Sequence, residues 1–272
     1  MPKNFIEFLK VSMGRLSVLR FLSMDKAGKK YWNSVWSDRG LIQKINTNYY
    51  TYQLLHQVFN KYLHKDSTKT ICEIGCAMSP YLLYFHDHFD FQINGFDYDC
   101  DALKKTEVIY KHMDYQCKLY CHNFFEEPRK RYDILFSWGV FEHFENLEDS
   151  IAHTVKYLVK DGFIVTLIPN MNGIVGFLQK FFNKRVYDIH IPYTKNDLLK
   201  AHEEAGYRTL FCDYIGIYQA GVININGVKN EEMIRKLLAI PGKPLFYLHK
   251  FTKLKFDSSF NSPYILYIGK KK

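Results

Sequence analysis

The run Thr70-Ile71-Cys72-Glu73-Ile74-Gly75-Cys76-Ala77 is a short apolar stretch that ends in an acid and enters a glycine turn, and Asp97 closes the next apolar stretch. A strand ending this way sets a carboxylate and bare backbone amides at the carboxyl edge of a sheet, where open α/β folds bind their ligands. Gly75 lets backbone and ligand approach closely. The second acid, about 20 residues further on, falls where a ribose diol would sit, and one carboxylate can accept from both hydroxyls at once. Three aromatic residues, Tyr31, Trp32 and Trp36, precede this region. Their faces suit a ligand cation at about 0.5 to 2 kcal/mol, although they would equally serve as a core anchor. Glu142 and His143 follow the apolar run Tyr132 to Trp138. A neutral imidazole with a pKa near ~6.5 suits the removal of a proton as a nucleophile attacks.

The elements that must position these residues alternate in type. Strands are expected over 71–74, 92–96, 116–121, 132–138, 162–168, 207–213 and 264–268, from their short apolar or β-branched runs. Helices are expected over 49–62, 80–89, 101–112, 147–158 and 194–205, the last stopped by Gly206. Asp99 or Asp101 can cap the third of these, and Pro80 suits the first turn of the second. Regular βα succession implies a parallel sheet with helices on both faces. Residues 4–22 place Ile6, Leu9, Met13 and Leu16 at helical spacing among Lys3, Lys10, Arg15 and Arg20, a basic amphipathic helix. Residues 214–261 are too long for a loop and require structure of their own, including a helix over 231–238.

Composition narrows the class. With 47% hydrophobic and 17% aromatic residues in 272, the chain is globular, and no apolar run nears the ~20 residues that span a bilayer. Glu7, Lys10 and Arg15 interrupt any secretory signal core, so the expected location is cytoplasmic. The six cysteines (Cys72, Cys76, Cys100, Cys117, Cys121 and Cys212) are too scattered for a disulfide scaffold and are expected to be reduced. No partner completes either four-residue cysteine offset at zinc spacing, and no metal is expected. The net charge of +9 sits at the ends: residues 1–30 hold seven basic and two acidic side chains, and residues 229–272 hold ten and three. That polarity fits peripheral contact with the inner membrane face, and it fits solubility alone.

In order and spacing, Glu73 to Ala77, Asp97, Asn123-Phe124, Tyr132 to Ser137, Glu142-His143 and Leu158 to Asn170 resemble the class I S-adenosylmethionine-dependent methyltransferases, over roughly residues 65–213. The resemblance implies an α/β, doubly wound, mostly parallel seven-stranded sheet (Rossmann-like methyltransferase), with a helical N-terminal arm or lid over 1–64 and a methyltransferase domain over 65–272 carrying the insertion 214–261. It implies S-adenosylmethionine as methyl donor and S-adenosylhomocysteine as product. Glu73 would then position the methionine end near its ammonium, with Gly75, Cys76 and Ala77 forming the loop. Asp97 would hold the ribose and Tyr98 cover the adenine, with the Asn123 amide oxygen and the Phe124 amide at its edge. Ser137 and Trp138 would lie beside the methyl group, Tyr31 and Trp32 would close over the cofactor, and His143 would be the general base, with His190 and Tyr193 as alternatives.

The acceptor would be an oxygen or nitrogen of a small or medium-sized molecule. The aromatic and basic run 245–256 suggests that it is a saccharide or is lipid-linked. Two other classes compete. A nicotinamide oxidoreductase shares the second acid but wants Gly-x-Gly-x-x-Gly, of which only Gly75 is present. A non-enzymatic nucleic-acid-binding module fits the basic ends but has no recognised motif.

Overall fold

The computed structural model describes residues 25–37, 40–47, 49–242, 244–245, 247, 251 and 257–272. The expected basic helix over 4–22 and most of the run 245–256 lie outside the described residues.

Seven strands form one sheet: β1 (Thr70–Ile74), β2 (Gln92–Asp97), β3 (Lys118–Cys121), β4 (Tyr132–Trp138), β5 (Leu158–Pro169), β6 (Tyr207–Ile215) and β7 (Tyr264–Lys271). Their spatial order is β3-β2-β1-β4-β5-β7-β6. All pairings are parallel except those of β7, which runs antiparallel to both β5 and β6. The strand order reverses between β1 and β4, and a crevice opens at the carboxyl ends of strands at such a point.

Helices cover both faces because the strand residues alternate between two apolar layers. On one face Ile71, Ile93, Phe136, Leu167 and Leu266 pack with Leu55 and Phe59 of α1 (Tyr50–Tyr62), Leu82 and Phe85 of α2 (Tyr81–Phe89) and Leu103 of α3 (Cys100–His112). On the other, Cys72, Leu135, Ile164, Ile168 and Ile265 pack with Leu147 and Ile151 of α4 (Leu147–Thr154) and Leu198 and Ala201 of α5 (Lys195–Glu204). Thus α1, counted in sequence with the arm, belongs by packing to the layered domain. The Asp99 carboxylate caps α3 by accepting from the amides of Asp101 and Ala102. Thr194 and Asp197 form a reciprocal capping box at the start of α5.

Three helices were not legible as such: αN (Gly28–Ser37), which carries the early aromatics, and the pair α6 (Ile174–Phe182) and α7 (Lys184–Asp188) after β5. The insertion holds a helical turn (Ala220–Val222) and α8 (Glu231–Ala239). It packs Ile223, Ile225 and Leu238 against Val175 of α6 in a third apolar cluster.

One expectation fails. Cys100 and Cys121 are joined in a disulfide, with Cα atoms 5.0 Å apart, while Cys72, Cys76, Cys117 and Cys212 are free. The parallel register that pairs Asp97 with Cys121 sets the start of α3 beside the end of β3, a proximity with no trace in sequence spacing.

Candidate active site

A cavity of ≈ 290 Å³ opens at the carboxyl edge of the sheet. On the β1 and β2 side it is lined by Gly75, Ala77, Ser79, Asp97, Tyr98, Asn123 and Phe124. On the β4 and β5 side it is lined by Trp138, Gly139, Glu142, His143 and Met171, and Tyr31, Trp32 and Trp36 of αN complete the wall.

The loop after β1 is held from behind. Gly75 N and Cys76 N donate to Phe96 O at 2.9 and 3.2 Å, Ala77 N to Asp97 Oδ2 at 3.2 Å, and Met78 N to Thr106 Oγ1 at 2.9 Å. The amides expected to be bare are therefore committed to β2 and α3, and what the loop offers a ligand is close approach of its backbone. Gly75 has φ +69°, and a Cβ there would lie 2.8 Å from Val140 Cγ2. Both the backbone conformation and the space require glycine.

Asp97 is 8% exposed and lines the cavity. Its Oδ1 accepts from Asp99 N at 2.8 Å and its Oδ2 from Ala77 N, which fixes the carboxylate plane and leaves one lone pair on each oxygen. Burial raises its pKa to about 6, against the opposing backbone amides. Tyr98 stands beside it and its hydroxyl donates to Asp25 Oδ2 at 3.3 Å. Asp25, which the sequence did not single out, also accepts from Ala27 N at 2.9 Å at the start of αN. Lys26 N donates to His143 O at 3.0 Å, and Asp25 pairs with Phe144 in an isolated bridge. These bonds anchor the arm over the cleft.

Glu73 does not line the cavity. It is fully buried, Oε1 accepts from Ser79 Oγ at 2.6 Å, and Oε2 has no hydrogen-bond partner among the described residues. Burial first, with the Asp97 charge adding to it, raises its pKa to about 8, so at neutral pH it is a protonated brace under the loop. Cys76 is likewise buried, its sulfur facing Gly95, where a Cβ would approach it at 2.5 Å. Ser137 lies in the sheet, paired with Ile74 and Thr166. The Asn123 side-chain oxygen accepts from Phe125 N at 2.9 Å, a turn-forming bond.

Trp32 meets His143 edge to face at 5.2 Å between centroids and stacks on Trp36 at 5.6 Å. His143 Nδ1 donates to Ile189 O at 2.9 Å, which leaves Nε2 unprotonated. Burial lowers its pKa to about 4, so the ring is neutral but a weak proton acceptor. Tyr193 donates to Phe144 O at 2.7 Å and is not among the lining residues. The remaining wall was missed in sequence: Met171, Gln179, Val186, Val222, Asn224 and Tyr264. Gln179 Oε1 accepts from Asn224 N at 2.7 Å while its Nε2 donates to Asn224 O at 3.1 Å, so α6 and the insertion are joined across the cavity rim. A lone glutamine in an apolar helix was the available signal.

A strand-end carboxylate, a glycine turn beside it and aromatic faces form a cleft at the carboxyl ends of the strands, where open α/β folds bind their ligands. A methyltransferase-domain family profile matches residues 45–210, and the chain belongs to that family. Its methyl donor is S-adenosylmethionine, and the nicotinamide alternative falls with that match. No curated protein sequence matches the chain. Solved structures of similar fold include a proposed sarcosine dimethylglycine methyltransferase from Galdieria sulphuraria, with TM-score 0.58 and 13% identity, over 89% of this chain and 97% of that one. The cyclopropane synthase MmaA2 from Mycobacterium tuberculosis has TM-score 0.55 and 15% identity, over 80% and 84%. The geranyl diphosphate C-methyltransferase from Streptomyces coelicolor, solved with Mg2+, geranyl diphosphate and S-adenosylhomocysteine, has TM-score 0.55 and 9% identity, over 81% and 79%.

Proposed function

We propose that the enzyme methylates an oxygen or nitrogen of a small or medium-sized acceptor that is lipid-linked or a saccharide. In this reading Asp97 accepts from the ribose hydroxyls, Tyr98 and Phe124 flank the adenine, the loop Gly75 to Ala77 approaches the methionine portion, and Trp32 faces the sulfonium. Glu73 supports the loop from beneath. The methyl carbon passes from sulfur to the acceptor in a single in-line displacement, for which positioning is the main requirement.

The observation that supports the acceptor assignment is the group of apolar residues in the remaining wall, Met171, Val186, Val222 and Tyr264 with Trp138, set beside the polar Gln179 and Asn224. Outside it, α6 turns Phe177 and Phe181 to solvent at 65% and 74% exposure. An acceptor with an apolar tail would meet apolar side chains in the wall and again on the outer face of α6. Two measurements test this. S-adenosylhomocysteine at 100 times its dissociation constant stabilises the fold by about 2.7 kcal/mol by mass action, so it must raise the melting temperature, whereas NADH must not. With methyl-labelled donor and a cell extract, label should enter the organic phase or the carbohydrate fraction. Label found in neither would refute the acceptor assignment.

A further inference from the structure

Three side chains that can each offer a ligand atom meet in the cavity wall. Glu142, His143 and His190 each offer one donor atom within 4.8 Å of the other two. All three line the cavity, and Glu142 and His143 are 1% and 3% exposed. His143 Nδ1 donates to Ile189 O at 2.9 Å, and His190 Nδ1 to Val186 O at 2.6 Å. A carbonyl only accepts, so the proton of each ring is on Nδ1 and each Nε2 is a bare lone pair. Glu142 Oε2 is buried with no hydrogen-bond partner among the described residues. Its Oε1 is 3.8 Å from His143 Nε2, too far for a hydrogen bond, so the carboxyl and the ring do not satisfy each other.

Two bare Nε2 lone pairs beside an unpartnered buried carboxyl oxygen are left unsatisfied, which is unfavourable. A cation answers all of them at once. The bonds from Nδ1 to backbone carbonyls are also the outer contacts that fix the tautomer and orientation of metal-ligating histidines. We propose that Glu142, His143 and His190 bind one divalent first-row transition-metal ion, of the Mn2+, Fe2+ or Zn2+ type, with its remaining positions open to the cavity. Two imidazoles and one carboxylate select such an ion over Mg2+ and Ca2+, which prefer oxygen donors throughout. The cysteine spacing that speaks against a zinc site is silent on this trio, whose third member comes from the turn after α7. The functional consequence rests on the methyl-transfer reading. The ion draws in an acceptor hydroxyl, eases loss of its proton to water, and the new O–CH3 bond forms as the S–CH3 bond breaks with its electron pair passing to sulfur. His143 then serves as ligand and not as base.

Calorimetry on chelator-treated full-length protein, with no methyl donor present, tests the site. One equivalent of Mn2+ or Zn2+ should bind, with Mg2+ at least about 100-fold weaker. Glu142→Gln and His190→Ala should each weaken binding by about 10- to 100-fold. Wild-type affinity for S-adenosylhomocysteine in the same variants shows that they are folded. Should a variant not fold, pulsed EPR of the Mn2+-loaded wild type decides, and it should show two imidazole nitrogens. Absence of stoichiometric binding, unchanged affinity in the variants, equal binding of Mg2+, or a spectrum without imidazole overturns the proposal. A protein that binds S-adenosylhomocysteine but no metal ion would sink this site alone, whereas one that binds the metal ion but no S-adenosylhomocysteine would sink the cofactor cleft.

Discussion

Asp97 and Glu73 are both strand-end carboxylates, yet only Asp97 faces the cavity, and the difference is one of depth. Asp97 was legible because a carboxylate closing β2 has nowhere to point but the crevice. The burial of Glu73 was not, because it depends on Ser79 folding back over it, which spacing does not reveal. If Asp97 holds the ribose as proposed, Asp97→Ala removes two charge-assisted hydrogen bonds, about 3 kcal/mol or more, and affinity for S-adenosylhomocysteine should fall at least ~100-fold by calorimetry. Because the buried Asp97 carboxyl titrates at about 6, wild-type affinity should hold above that pH and weaken below it, as the protonated form loses charge and acceptor capacity. A flat profile between pH 5 and 8 would remove Asp97 from the cofactor contacts. Glu73 carries a stability prediction of defined sign. Its folded pKa, about 8, exceeds its ordinary value of 4.5. Its contribution is therefore full below the unfolded pKa and is lost as pH rises through 8, by on the order of 4 kcal/mol. Glu73→Gln cannot ionise, so its melting temperature should decline less than that of the wild type between pH 5 and 9. Parallel curves would contradict the protonated-brace assignment.

At the scale of elements, the strands were readable within a few residues because each is a short apolar run between polar turns, and β4 begins and ends where the pattern does. The extension of β5 back to Leu158 and of β7 out to Lys271 was not, because charged residues at Lys160, Asp161, Lys270 and Lys271 interrupt the apolar pattern while the backbone pairing continues. Nor were α6 and α7 legible. Ile174 to Phe182 is apolar on nearly every side, and only the insertion, distant in sequence, tells which side is covered. Gln179 is the fastener between the two. It is fully buried and pairs with both backbone groups of Asn224, so Gln179→Ala leaves a donor and an acceptor unanswered at the cavity rim. The expected cost is about 1–3 kcal/mol in denaturant unfolding, with turnover reduced through the acceptor while S-adenosylhomocysteine affinity stays near wild type. Equal losses of cofactor and acceptor binding would show that α6 and the insertion do not form a separate acceptor wall.

Taken as a whole molecule, the enzyme combines a net charge of +9 with apolar side chains left in water. Among the described residues no helix is long and apolar enough to cross a membrane. Four of the exposed apolar residues lie on two helices: Phe177 and Phe181 on α6, and Met233 and Leu237 on α8 at 54% and 56% exposure. Single exposed apolar residues need no explanation, but two neighbouring helices that share one apolar cluster and each turn further apolar residues outward suit a surface that is not purely aqueous. Basic residues near an anionic bilayer add about 1 kcal/mol each, and the aromatic side chains add apolar insertion, so binding should need both terms. Flotation with anionic liposomes should recover the protein in the lipid fraction at low salt, with recovery falling as salt screens the charge and falling again in Phe177→Ser/Phe181→Ser at fixed salt. Those two positions are outside the cavity lining, so methyl transfer to a water-soluble acceptor should be unaffected in the double variant. If wild type and double variant float equally, α6 does not meet the bilayer, and the acceptor must reach the cavity from solution.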